Sequence, residues 1–381
     1  MTRTPFIIAA SALALTACNA TVPGAKADNG ETSTQASSDG KPFTQTDVAK
    51  FNEPWAMAFW PGSSKALITE KSGTMKLIDT GSNDTGSNKV INVTGAPKVD
   101  YGGQGGLGDI VFAPGTNANS NSATIYLSWA EAGSGDTRGA VVARGTITCS
   151  ADSCTITGLT PVWQQNPKVT GRGHYSHRLA FSPDGKYLFI SSGERQKMQP
   201  AQDPASDLGK LIRLDLATGK AEHWTMGNRN LLGIAFDASG NLWETEMGPQ
   251  GGDEVNLMLQ GKNYGWPNVS NGSHYGGEAI PDHAAGDGFE APKVWWNPSI
   301  SPSSLMIYSG DLFPQWKGDA FIGALSGEAL IRVDINGTNA TKGDQWPMNT
   351  RIREVEQGPD GAIWLLEDGP DGRLMKLTPA G

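Results

Sequence analysis

The 381-residue chain is short of cysteine, of clustered positive charge, of helical patterning and of long apolar runs. Each shortage excludes something. Only 30 Lys and Arg oppose 39 Asp and Glu, a formal net charge of -9. No basic cluster offers a phosphate-neutralising face, so nucleic acid is not expected as a partner. Amphipathic helical periodicity is scarce, which counts against a helical fold. No glycine-rich fingerprint follows a strand and opens a helix, so a nicotinamide cofactor finds no support. The apolar run from Phe6 to Leu15 is too short for a permanent membrane-spanning helix.

That run has the anatomy of an export signal, with Arg3 ahead of it and Leu15-Thr16-Ala17-Cys18 after it. The tetrapeptide reads as a lipoprotein processing box that makes Cys18 the lipidated first residue; the other reading is an ordinary secretory signal cleaved near Ala20. Asn19 is not the aspartate that commonly retains such proteins at the inner membrane. The expectation is therefore a periplasmic protein whose one membrane contact is an N-terminal lipid anchor in the outer membrane. Residues 19–45, rich in Ser, Thr, Gly and Ala, read as a flexible tether. The other two cysteines, Cys149 and Cys154 in TITCSADSCTITG, face each other across a short hairpin. In an exported chain that spacing predicts a disulfide, and no nearby histidine argues for a metal instead.

What the chain has in quantity is glycine (49) and tryptophan (12), which suits many short strands and tight turns. A unit of apolar strand, Gly or Asp-Gly turn and second apolar strand recurs at 56–70, 109–129, 178–194, 233–246 and 353–368, and more weakly at 305–325. Six such hairpins predict an all-β, six-bladed propeller with four-stranded antiparallel blades over residues 46–381. A sandwich with several hairpins is the competing architecture. In a propeller, loops on one face converge, so residues remote in sequence share one site.

The richest stretch is GNRNLLGIAFDASGNLWETEMGPQGGDEVNLMLQGKNYGWP at 227–267. Arg229 and Asn230 can bind a polyanionic ligand, and the turn at 247–249 can offer carbonyls to a hard cation. An ordinary hairpin with a solvated charged loop reads the same stretch without a site. Other motifs are PWAMAF at 54–59, GGQGGLGD at 102–109, GHYSHRLAFSPDG at 173–185, AQDPASDLGKLIRL at 201–214, PSISPSSLMIYSGD at 298–311 and RIREVEQGPDGAIWLLED at 351–368. Taken in order, these resemble the soluble quinoprotein sugar dehydrogenases of the glucose/sorbosone dehydrogenase family, from about Glu53 to Leu377.

The resemblance implies a six-bladed propeller that uses pyrroloquinoline quinone and Ca²⁺ to oxidise an aldose at C1 to an aldonolactone, with electrons passed to an external acceptor. It implies His174 as the base, with Arg229 stabilising charge. It places Gln104, Arg229, Asn230, Arg351 and Arg353 on the quinone, the backbone of Gly248 and Pro249 on its calcium, and Glu254 with the Tyr264 backbone on a second, structural calcium. His177 lies off the family pattern and reads as a substrate-side or structural residue. Two departures stand out. Gly173 precedes the base where aspartate is common, and Ser326 stands in the loop where related members carry a lysine. Trp295 and Trp296, in the variable segment 268–297, are candidates to stack on a sugar. A calcium-dependent propeller lactonase or hydrolase, or a non-catalytic envelope lipoprotein, are the alternatives. Monomer and dimer both stay open.

Overall fold

All six hairpins form, and each contributes the two strands nearest the centre. The leading strands are Pro54–Phe59, Leu107–Phe112, Ser176–Phe181, Leu231–Phe236, Pro302–Ile307 and Ile352–Gln357. Each packs against the next, and the last packs against the first, so they line a central axis as a closed ring. The computed structural model describes residues 40–81 and 88–381, with the backbone of Thr34–Gln35. The expected leader, Cys18 and the tether as far as residue 39 lie outside the described residues.

Burial explains the order of strands from centre to rim. The leading strands bury most of their residues, as in Leu107–Phe112, and the second strands do so too, as in Lys65–Glu70. Rim strands such as Asn339–Pro347 are largely exposed and carry little apolar pattern. β-Branched and aromatic side chains on both faces of the inner strands pack into separate clusters between neighbouring sheets, for example Leu188, Ile190 and Ile212 against Tyr126 and Val142.

Three sheets hold four strands each. The sheet order differs from separate four-stranded units at one place, where eight strands run continuously. There Val90–Thr94 pairs in parallel with the start of Cys154–Gln164, through Val93 opposite Cys154 and Thr94 opposite Thr155. The reason is length: the hairpin of Arg138–Cys149 and Cys154–Gln164 has strands of 12 and 11 residues and overreaches onto its neighbour's rim. A disulfide joins Cys149 to Cys154 at the tip of that hairpin.

Of the two remaining sheets, one pairs Gln250–Gly251 with Gly272–Ser273, and the other, of five strands, joins the two ends of the described chain. Phe43–Phe51 pairs antiparallel with Gly372–Pro379, from Phe43 opposite Pro379 to Phe51 opposite Gly372. The strand begins at Phe43, so residues 43–45 belong to the sheet and not to the tether in which they were expected. Among the described residues, no helix is long and apolar enough to cross a membrane.

Candidate active site

Two cavities lie on the axis. The larger, about 400 Å³, sits at the ends of the leading strands, beside Phe59, Phe112, Glu356 and Gln357. The smaller, about 290 Å³, sits at their starts, and the candidate residues gather there. Its wall includes Gln104, Asn230, Arg351 and Arg353, together with Trp55, Lys71, His177 and Asp368. Residues 104, 230 and 351 come from different sheets, as a ring of convergent loops requires.

Arg351 and Arg353 straddle the start of one strand, and both are held by one carboxylate. Arg351 Nε donates to Asp368 Oδ2 at 2.9 Å, while Arg353 donates to Asp368 Oδ1 through Nε and Nη2 at 2.9 and 2.7 Å. Asp368 thus fixes the two forks without neutralising both. Lys71 adds a third cation to the wall, 3.4 Å from Glu53. At the departure noted above, Ser326 Oγ lies 2.8 Å from Ser301 Oγ.

His174 is buried beside this wall. Its backbone N–H donates to Gln104 Oε1 at 2.7 Å, and its Nδ1 meets Glu194 Oε1. Burial pushes the imidazole down, and the nearby Arg229 adds to that against the pull of Glu194. Burial opposes the charge of Glu194, yet its bond with His174, and then Met198 N–H and Arg229, hold it below the usual carboxylate range. Both directions describe a neutral imidazole beside an ionised carboxylate. A carboxylate only accepts, so Nδ1 carries the proton and Nε2 is left as the acceptor. Glu194 was not singled out in the sequence, because it sits 20 residues downstream on a neighbouring strand end. The missing aspartate leaves no gap: a Cβ on Gly173 would fall 2.4 Å from Gln196 Cδ, so Gln196 fills that space.

Arg229 stands one step from the cavity. Its Nη1 donates to the Met247 carbonyl at 2.8 Å and its Nη2 to Tyr275 Oη at 3.2 Å, with the guanidinium 5.2 Å from the Trp266 ring. Arg229 Nε, Asn230 Nδ2 and both ring nitrogens of His177 are buried without a hydrogen-bond partner.

The corner at Gly248 and Pro249 is buried and pinned by Asp253. One oxygen of that carboxylate accepts from Gly248 N–H at 2.8 Å, the other from Ile300 and Ser301 N–H at 2.6 and 2.7 Å. Glu254 lies in a buried acidic group with Glu244 and Glu246. Burial first, then Glu246, push Glu244 and Glu254 well above the usual range. Tyr264 N–H donates to the Met226 carbonyl at 2.9 Å, and its hydroxyl to Leu257. Among the described residues no group of three or more His, Cys, Asp or Glu is disposed to hold a metal. A cation at the corner would therefore rest on carbonyls and waters.

Trp295 and Trp296 do not reach either cavity. Trp296 is buried and Trp295 exposed on the strand Val294–Trp296, and Lys342 Nζ lies over both rings. From the same variable segment it is Tyr275 that approaches the site.

The family model described as Glucose / Sorbosone dehydrogenase matches residues 51–376. The aldose sugar dehydrogenase YliI of Escherichia coli (strain K12) is 37% identical over 350 residues, which span 87% of this chain and 91% of that protein. A crystal structure of the soluble aldose sugar dehydrogenase from Escherichia coli in the apo-form aligns with TM-score 0.79 at 36% identity, over 88% of this chain and 99% of that one. The PQQ-bound aldose sugar dehydrogenase from Streptomyces coelicolor shares the fold, with TM-score 0.71 at 24% identity, over 91% of this chain and 98% of that one.

Proposed function

The chain belongs to the glucose/sorbosone dehydrogenase family, a family of oxidoreductases, and on that footing we propose that it is a pyrroloquinoline-quinone-dependent dehydrogenase of aldoses. It oxidises the sugar at C1 to an aldonolactone and hands the electrons to an external acceptor. The observation that carries this reading is the wall of the smaller cavity. Two arginines, a lysine and two amides converge there, and the Asn230 amide nitrogen is buried without a partner. That donor set fits a flat tricarboxylate bearing carbonyls: guanidinium forks match carboxylates, and amide N–H groups match carbonyl oxygens. Lys71 supplies the cation that Ser326 does not.

When bound, the quinone supplies a hydride acceptor, and a calcium ion on the Gly248 and Pro249 carbonyls supplies Lewis acidity. The protein's own part is the proton. His174 Nε2 takes it from the anomeric hydroxyl, and Glu194 stabilises the imidazolium as it forms. Arg229 and Asn230 present fixed donors where negative charge develops, in a space with little water to reorganise. Glu254 and the Tyr264 backbone would hold a second calcium, which would draw the proton from the buried carboxyl.

Three finer readings go with this one. The six leading strands each head a four-stranded blade, with the eight-stranded sheet counted as two. Residues 1–18 are a lipoprotein leader ending at Cys18, and 43–381 are one catalytic domain. The mature protein is periplasmic and anchored in the outer membrane through Cys18.

The test is dye-linked aldose oxidation by purified full-length protein, titrated with pyrroloquinoline quinone and Ca²⁺ while the visible and near-ultraviolet spectrum is followed. Activity that needs both additions, with a new absorbance band, is the expected result. Failure to bind the quinone at all would overturn the reading.

A further inference from the structure

His177 stands outside the family pattern, yet it is one of the least explained side chains in the molecule. It is 2% exposed, lines the smaller cavity, and neither ring nitrogen has a hydrogen-bond partner. A buried polar group left unpaired carries a desolvation cost that a purely packed core avoids. Its seat is constructed rather than incidental. The ring stacks on Tyr175 at 5.2 Å and 8°, and meets Trp55 edge-on at 5.8 Å and 88°. A Cβ on Gly108 would lie 2.7 Å from His177 Cβ, so only glycine there leaves room. The backbone adopts φ of 75° at His177 and 67° at Ser176, a region that costs non-glycine residues energy and recurs at functional sites.

The position is deep. His177, Trp55 and Leu232 form the buried end of the cavity wall, whereas the Arg351 side chain at its rim is 47% exposed. Arg195 lies over the Tyr175 ring at 3.6 Å and Arg178 over the Trp55 ring at 4.2 Å, so each of the two rings that touch the imidazole also carries a cation. Burial, then Arg195 and Arg178, push its pKa down to about 3. A neutral imidazole offers one N–H donor and one acceptor.

Resting on the quinone reading above, we propose that His177 is a binding residue for the planar quinone, hydrogen-bonding it from the deep wall as an uncharged imidazole. The ligand supplies the partner that the protein withholds. This contact adds a fixed dipole to a site otherwise held by charge, so its contribution is insensitive to salt where that of the arginines is not.

The experiment uses the full chain purified without quinone, titrated with pyrroloquinoline quinone and followed by tryptophan fluorescence. Wild type is compared with His177→Phe, which keeps a flat ring without nitrogens, and His177→Asn, which keeps a donor and an acceptor. The dissociation constant is expected to rise about five- to fiftyfold in His177→Phe and to recover in part in His177→Asn. The quinone-free melting temperature of His177→Phe is expected at or above that of wild type, because two unpaired nitrogens are gone. Equal quinone affinity in wild type and both variants would overturn the inference and leave the quinone reading standing. A change in aldose KM with quinone affinity unchanged would also overturn it, by assigning the residue to the sugar. A wild type that binds no quinone would remove both.

Discussion

The two axial cavities are walled by the same ring of strands, yet they differ in charge. At the strand starts the wall carries Lys71, Arg351 and Arg353, restrained by Asp368 and Glu53. At the strand ends it carries Asp109, Glu354 and Glu356 around the single cation Arg178. Each nitrogen of Arg178 has a partner. Its Nε donates to the Leu232 carbonyl at 2.7 Å, its Nη2 to the Ser303 carbonyl at 2.5 Å, its Nη1 to Glu354, with Asp109 at 3.8 Å. Near the smaller cavity, by contrast, Asn230 and His177 hold polar nitrogens with nothing to bind. One end of the axis has completed its polar bonds internally and stabilises the ring. The other has left them incomplete, which is the condition for taking a ligand.

Substitutions at the two ends can break that division. The largest effect is expected from His174→Ala, with turnover in the dye-linked assay down roughly 10²- to 10⁴-fold and quinone affinity retained. Loss of affinity instead of turnover would remove His174 from the role of base. Arg178→Met at the closed end should cost about 3–5 kcal/mol in chemical denaturation, because Glu354 and Asp109 lose their cation. Its quinone affinity should be unchanged, and a large change there would erase the distinction between the ends. Arg353→Ala should weaken quinone binding about 10- to 100-fold by titration, with a shallower salt dependence, and leave the melting temperature nearly intact.

A pH series sharpens the contrast further. His177 has its folded pKa lowered to about 3, while the unfolded chain titrates near 6.5. Its stabilising contribution is therefore complete above about pH 6.5 and declines as pH falls towards 3, by about 1.4 kcal/mol per unit. Between wild type and His177→Phe, the gap in unfolding free energy should shift by about 2 kcal/mol from pH 7 to pH 5, in favour of the variant. A gap that stays constant would mean the imidazole titrates in the fold as it does in the unfolded chain. The smallest effect belongs to Lys71→Ala. Partly exposed and paired with Glu53, that cation should change quinone affinity by only about two- to fivefold.

The hairpins were legible because their signal is local. In RLAFSPDGKYLFISSGE two apolar runs flank a Pro-Asp-Gly turn, and Ser176–Phe181 and Tyr187–Ser192 follow that pattern. The rim was not. Asn339–Pro347 has exposed polar residues on both faces, and the pairing of Phe43 with Pro379 joins opposite ends of the sequence. The parallel contact of Val93 with Cys154 has no signature in either strand, since it depends on how far a neighbouring hairpin extends. At the site, Gln104, Asn230, Arg351 and Arg353 were found through their motifs. Glu194 and Asp368 were not, because a carboxylate that orients another side chain looks in sequence like any solvated acid. For His177, the unpaired nitrogens become visible only once its neighbours are in place.

The pairing of Phe43–Phe51 with Gly372–Pro379 also bears on the order of events during synthesis. The ring closes only when the first described strand meets the last. The eight-residue strand Gly372–Pro379 is the last of the described strands to be made. Until then only the sheets at the two ends of the arc lack a neighbour, and the axis stays open. A chain that still lacks this strand has no closed ring around the axis, so the walls of both axial cavities are unfinished until it pairs.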